Sequence, residues 1–176
     1  MHRAGLCGHN RNMPIVSPIP IQPLVDGRQS ERAMVIRRGV QRLFVQMGHA
    51  VLPELCLATG RRADLVATTR KGEIWIVEIK SSVEDFRVDR KWPEYRDHCD
   101  RLFFASHPNV PSEIFPEDCG FILSDGYGAE LMRDAPEHRL APAMRKAMTL
   151  RIARAGSMRL TMAEMAGVNI PALEDE

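Results

Sequence analysis

The run Ile74-Trp75-Ile76-Val77-Glu78-Ile79-Lys80 constrains this chain more than any other segment. As an extended strand it places apolar side chains on both faces, the pattern of a strand covered from two sides. A strand of that kind fits a sheet with a layer packed on each face. The same strand ends by putting Glu78 and Lys80, two positions apart, on one face. A carboxylate and an ammonium are not left in such a place unless they are paired or used.

The surrounding elements follow from local signals. Residues 1–29 alternate Pro14, Pro18, Pro20 and Pro23 with Ile15, Ile19, Ile21 and Leu24, which predicts an extended, Pro-rich arm and forbids a helix. Ser30 is a helix N-cap, and Ile36, Val40, Leu43, Phe44 and Met47 then recur at helical spacing up to Gly48. A strand is expected over 50–57, then a hairpin of two strands, roughly 63–69 and 73–81, turning at Lys71-Gly72. The charged stretch from Val83 to Asp100 ends in a short helix starting at Trp92, with Pro93 in its first turn. Apolar runs at 102–106, 119–124 and 128–133 read as three more strands. A last helix is expected from Ala141 to about Ala155, closed by Gly156, with a loose tail over 161–176. The resulting order predicts an α/β sandwich with a mixed central β-sheet flanked by helices, the domain spanning 30–160.

Composition narrows function mainly by exclusion. At 176 residues the chain suits one domain, and 24 basic against 23 acidic residues leave any nucleic-acid footprint to local patches. Cys7, Cys56, Cys99 and Cys119 lack zinc-ligand spacing and read as reduced thiols. No stretch is long and apolar enough to span a membrane and there is no secretory segment, so a cytoplasmic protein is expected. The basic clusters are Arg37, Arg38 and Arg42 in the first helix, and Arg145, Lys146, Arg151, Arg154 and Arg159 in the last. Either set reads as a solvated helix face, the second also as a phosphate-contacting surface.

The chemistry centres on Asp64, sixteen positions before Lys80 and on the hairpin partner of its strand. Phosphodiester hydrolysis needs a Lewis acid on the phosphoryl oxygen and a positioned water. Mg²⁺ takes oxygen ligands, commonly one or two carboxylates with waters. Asp64 and Glu78 would supply the carboxylates, the Ile79 carbonyl a third ligand, and Lys80 would position the attacking water. The alternative is a solvent-facing Glu/Lys pair of ~0–1 kcal/mol.

Asp64 followed by Glu78-Ile79-Lys80 resembles the signature of the PD-(D/E)-x-K nuclease superfamily, the fold of many restriction enzymes. More narrowly, Gly48-His49-Ala50-Val51-Leu52-Pro53-Glu54, Gly60-Arg61-Arg62-Ala63-Asp64 and Val77 to Phe86 look like the MmcB family of bacterial DNA repair proteins. So do the later runs Asp89-Arg90-Lys91-Trp92, Tyr127-Gly128-Ala129-Glu130 and Pro136-Glu137-His138-Arg139-Leu140. The resemblance implies a restriction-endonuclease-like fold, DNA as substrate, Mg²⁺ (with Mn²⁺ as substitute) as cofactor, and a DNA repair role beside other repair proteins. A non-catalytic DNA-binding or partner-recruiting module with the same fold is the alternative. The carboxylate that many members carry in the first helix is absent, since that zone reads Arg37-Arg38-Gly39-Val40. Glu54 is its candidate replacement, or else a partner of Arg61 or Arg62. Arg61 and Arg62 stand beside Asp64 within reach of a scissile phosphate. Ser81 and Ser82 either touch phosphate or end the strand. Lys91 and Tyr95 are similar to a Gln-x-x-x-Tyr motif of RecB-like nucleases, with Tyr95 as a core residue the competing reading.

Overall fold

The computed structural model describes residues 30–171, so the expected N-terminal arm and the last five residues lie outside the described region. Helix α1 (Glu31–Gln46) starts where the Ser30 side chain accepts a hydrogen bond from the Ala33 N–H and stops at Met47. Six strands follow: β1 (Ala50–Cys56), β2 (Arg62–Thr68), β3 (Ile74–Lys80), β4 (Arg101–Ser106), β5 (Gly120–Ser124) and β6 (Ala129–Arg133). They form one sheet in sequence order. Pairing is antiparallel from β1 to β3, parallel from β3 to β5, and antiparallel again at β6. The expected mixed sheet with flanking helices is therefore what forms.

Strand β3 is buried along all seven positions, and its alternation divides the core in two. Trp75, Val77 and Ile79 pack with Ile36, Val40 and Phe44 of α1. On the other face Ile74 and Ile76 join Tyr95, Phe104, Phe115 and Met148. That second face is covered by helix α2 (Val83–Val88), a 3₁₀ helix at Trp92–His98, and the start of helix α3 (Pro142–Met165). Ile74 and Ile76 thus belong to the face on which Glu78 and Lys80 emerge.

Three expectations need correcting. Helix α2 is present where the sequence suggested only a charged stretch. Its N-cap is Ser82, whose hydroxyl accepts from the Asp85 N–H. The segment at Trp92 is 3₁₀ rather than α-helical. Finally, α3 does not stop at Gly156 but continues to Met165, so the first residues of the expected tail are helical. Added methyl groups at Gly156 would meet nothing within 4 Å, which marks an open helix surface rather than a terminus. A glycine inside a helix costs only ~1 kcal/mol, and the good helix formers around it outweigh that.

The start of α3 is fixed by a buried carboxylate that the sequence did not single out. Asp100, 1% exposed, accepts from the Ile74 N–H at 2.7 Å and the Leu140 N–H at 3.0 Å. Arg145 completes the set with Nη2 at 2.5 Å and Nη1 at 2.9 Å. Arg145, expected on a phosphate-contacting face, therefore joins the helix to the sheet.

Candidate active site

The β2–β3 ladder pairs Val66 with Ile76 and Leu65 with Val77, and continuing it one step puts Asp64 opposite Glu78. There the side chains replace the ladder. The Asp64 N–H donates to Glu78 Oε1 at 3.3 Å, and the Ile79 N–H donates to Asp64 Oδ2 at 2.8 Å. Two strands that diverge leave backbone donors unmet, and a carboxylate inserted from each strand satisfies them. Asp64 and Glu78 are in this way fixed against each other by backbone they share.

Burial makes this arrangement costly for negative charge. Glu78 is 4% exposed. Its carboxyl is held well above the usual range by burial first and by the Asp64 carboxylate second, against the pull of Lys80. Asp64, partly buried, is also raised by burial, although the Ile79 N–H and Lys80 oppose the shift. Two like charges in one low-dielectric site discourage joint ionisation, and a cation between them would remove the penalty.

Lys80 is 5% exposed and does not reach freely toward solvent. Its Nζ contacts Asp89 Oδ2 at 2.5 Å. Burial works to discharge the ammonium, but the bond to Asp89 and the nearby Glu78 outweigh it and raise the pKa. Asp89 is raised by burial and lowered more by Lys80 and the Lys91 N–H, so it stays ionised. Lys80 is therefore a fixed positive charge, not a base awaiting a proton. Asp89 carries no periodicity that marks it; its sequence signals are the charged run after β3 and the family-like run Asp89-Arg90-Lys91-Trp92, neither of which shows that it meets Lys80. The strand end itself is pinned where Ser106 Oγ donates to the Lys80 carbonyl at 2.7 Å.

Glu54, level with Asp64 in the β1–β2 register, is held by arginines. It alone among non-glycine described residues has a positive φ, 50°, and it drops out of the ladder between the Pro53–Leu65 and Leu55–Ala63 pairs. Its carboxylate bonds Arg37 Nη1 at 2.9 Å and lies 3.4 Å from Arg62 Nη1. Of the two arginines expected beside it, Arg62 is the one that pairs with Glu54, and Arg37 lies nearer still. Arg37, placed off the apolar face of α1, is buried for this reason. Among the described residues no group of three or more His, Cys, Asp or Glu is arranged to hold a metal ion, which leaves a pair of carboxylates.

The other candidates separate in the same way. Arg61 is paired twice with Glu94, at 2.8 and 2.9 Å, on the surface. Arg62 borders the site through Glu54. Ser82 caps α2, while the Ser81 N–H donates to Asp85 Oδ2 at 3.1 Å, so both serve the strand-to-helix turn. Lys91 is exposed. Tyr95 is a buried core residue, as its competing reading held, yet its hydroxyl also reaches the site. It donates to the Arg62 carbonyl at 3.1 Å, and burial with the charges of Glu78 and Asp64 raises its pKa. The spacing to Lys91 could not show this, because the 3₁₀ turn, not an α-helix, aims the ring.

No helix among the described residues is long and apolar enough to cross a membrane, and Cys56, Cys99 and Cys119 are free thiols. Compared with known proteins, the chain matches over residues 21–167 a family model described as DNA repair protein MmcB-like. Among solved structures it is similar to SPO1766, a protein of unknown function from Silicibacter pomeroyi. The two are 36% identical and superpose with a TM-score of 0.74 over 83% of this chain and 99% of that one. None of the curated proteins matches.

Proposed function

This chain belongs to the MmcB-like family of DNA repair proteins, and from that membership we propose that it is a divalent-metal-dependent DNA nuclease acting in repair. The observation that carries the reading is the Asp64–Glu78 pair, locked face to face by the Asp64 and Ile79 N–H groups, with both carboxyls raised in pKa by burial and Glu78 raised further by Asp64. Such a pair fits a hard cation with an oxygen shell, Mg²⁺ or Mn²⁺, completed by waters and a substrate phosphate. Ile79 supports a third ligand, because the N–H and C=O of one strand residue point to the same side and its N–H already faces β2. When bound, the ion would polarise the phosphoryl oxygen and favour ionisation of a coordinated water.

The chain's own groups divide the remaining work. Asp64 and Glu78 hold negative charge where a cation is wanted. Lys80, kept as ammonium by Asp89, offers a fixed positive charge to the developing charge on phosphate or water. Tyr95 buttresses the Arg62 carbonyl and so the strand that presents Asp64. Arg62, paired with Glu54, stands at the rim as a positive charge beside the phosphate flanking the bond. The PD-(D/E)-x-K superfamily and its restriction-endonuclease-like sandwich are the frame this reading assumes.

The alternative, a DNA-binding module without cleavage, draws on two observations. Glu54 is committed to Arg37 and Arg62, and Lys80 is committed to Asp89. One assay decides. Purified protein is incubated with single-stranded, duplex, flapped and branched DNA with Mg²⁺ or Mn²⁺, beside Asp64→Asn, Glu78→Gln and Lys80→Ala. Cleavage by the wild type that these variants abolish, with DNA binding retained, supports the nuclease. A wild type that cleaves none of these substrates refutes it in favour of the binding module.

A further inference from the structure

We propose that the groove between β1 and the middle of α3 is a binding track for the sugar-phosphate backbone of DNA next to the candidate site. This rests on the reading that DNA is the substrate. The groove has a volume of about 530 Å³, a floor of Glu54 and Cys56, and a wall bearing Arg151, Arg154 and Arg159. Strand β1 is the sheet edge, and its outward carbonyls are covered by arginine rather than by another strand. Arg151 Nη1 donates to the Cys56 carbonyl at 3.0 Å and Arg159 Nη2 to the Glu54 carbonyl at 2.7 Å. Arg159 Nη1 also donates to the Pro53 carbonyl.

These bonds orient the guanidinium groups without neutralising them. Each guanidinium has five N–H donors, of which backbone carbonyls occupy one in Arg151 and two in Arg159. The single carboxylate lining the groove, Glu54, is already shared by Arg37 and Arg62. Arg154 is exposed and forms no hydrogen bond or ion pair with the described residues. Helix α3 carries no acidic residue before Glu164. The forked guanidiniums of Arg151 and Arg159, oriented by backbone carbonyls, match phosphate better than lysines would.

Position argues for the same ligand. Cys56 pairs with Arg62 and Leu55 with Ala63 across the β1–β2 ladder, so the groove floor lies one strand from Asp64. Adjacent strands are ~4.8 Å apart, while each DNA strand carries a phosphate per ~3.4 Å of helix axis. A backbone laid in the groove therefore presents neighbouring phosphates to the Asp64–Glu78 pair within a few nucleotides. Arg62, bonded to Glu54 and two residues from Asp64, bridges groove and site.

The test measures DNA binding in EDTA, where cleavage plays no part, by fluorescence anisotropy of labelled single-stranded and duplex DNA across a salt series. Arg154→Ala should weaken binding about threefold and Arg154→Glu about tenfold, and for duplex the alanine variant should flatten the log–log salt slope by about 0.9. Arg38→Glu, exposed on α1 across the sheet, should change neither. Thermal melting confirms that all three fold. Wild-type affinity in Arg154→Glu overturns the track while leaving the nuclease reading intact. An equal loss in Arg38→Glu also overturns it, because the effect is then one of overall charge. Competition by polyglutamate as strong as by DNA assigns the groove to acidic protein instead. A wild type that binds no DNA removes the premise, and the track falls with it.

Discussion

Glu78→Gln should make the metal-free protein more stable at neutral pH although it removes a buried charge. Residues directly opposite on antiparallel strands have Cβ atoms ~5 Å apart, and two unit charges at that distance repel by ~3 kcal/mol at an effective dielectric of ~20. Lys80, on the same face, offsets part of this, so the expected net gain is ~1–2 kcal/mol. For a domain of this size that is a rise of roughly 2–8 °C in Tm. The amide keeps the acceptor that the Asp64 N–H uses. The pH dependence has a definite sign. Glu78 has a raised pKa in the fold, so its contribution to stability is complete below the ordinary glutamate range and is lost as pH climbs through the raised value. Wild type should therefore weaken relative to the variant as pH rises from that range, and the two should converge in acid. Added Mg²⁺ should stabilise the wild type and not the variant. Thermal melts of EDTA-treated protein over a pH series, with and without Mg²⁺, read all of this. A variant less stable than wild type at neutral pH by as much as in acid would overturn this expectation. The Lys80 attraction, not the Asp64 repulsion, would then dominate at Glu78.

Asp89→Asn removes the partner of an ammonium whose side chain is only 7% exposed, and should cost ~2–4 kcal/mol in urea unfolding at neutral pH. Because Asp89 has a lowered pKa, that difference should shrink as pH falls below the ordinary aspartate range; a pH-independent difference would point to lost packing instead. Glu54→Gln should lower stability by ~1–3 kcal/mol through Arg37 and Arg62 yet leave metal-dependent cleavage within several-fold of wild type. Loss of cleavage equal to that of Asp64→Asn would place Glu54 among the metal ligands after all.

Much of the scaffold was legible because it depends on local rules. Ser30 capped α1 as its hydroxyl required, and Ile36, Val40 and Phe44 took the buried stripe their spacing gave them. The hairpin at Lys71-Gly72 formed where a glycine with φ of 78° was needed. Helix α2 was hidden because its six residues are too few to show a period, and its cap, Ser82, looked equally like the end of a strand. The true end of α3 was hidden for the opposite reason. Gly156 is a stop signal only when its position needs a left-handed turn, and here the helix simply passes through it.

The site divides along the same line. That Glu78 and Lys80 share a face of a buried strand, with Asp64 on its hairpin partner, can be read from the chain alone, because a period of two and a short turn dictate both. What each charge faces depends instead on how distant elements pack together. Asp89 arrives beside Lys80 from the end of α2, Arg37 of α1 pairs with Glu54, and Arg151 and Arg159 reach across from α3 to the edge of β1. These partners lie 9 to 105 residues from the groups they meet. No periodicity encodes such pairings: a buried charge takes whichever partner the packed elements bring within a few ångströms, and that is settled when the layers close over the sheet.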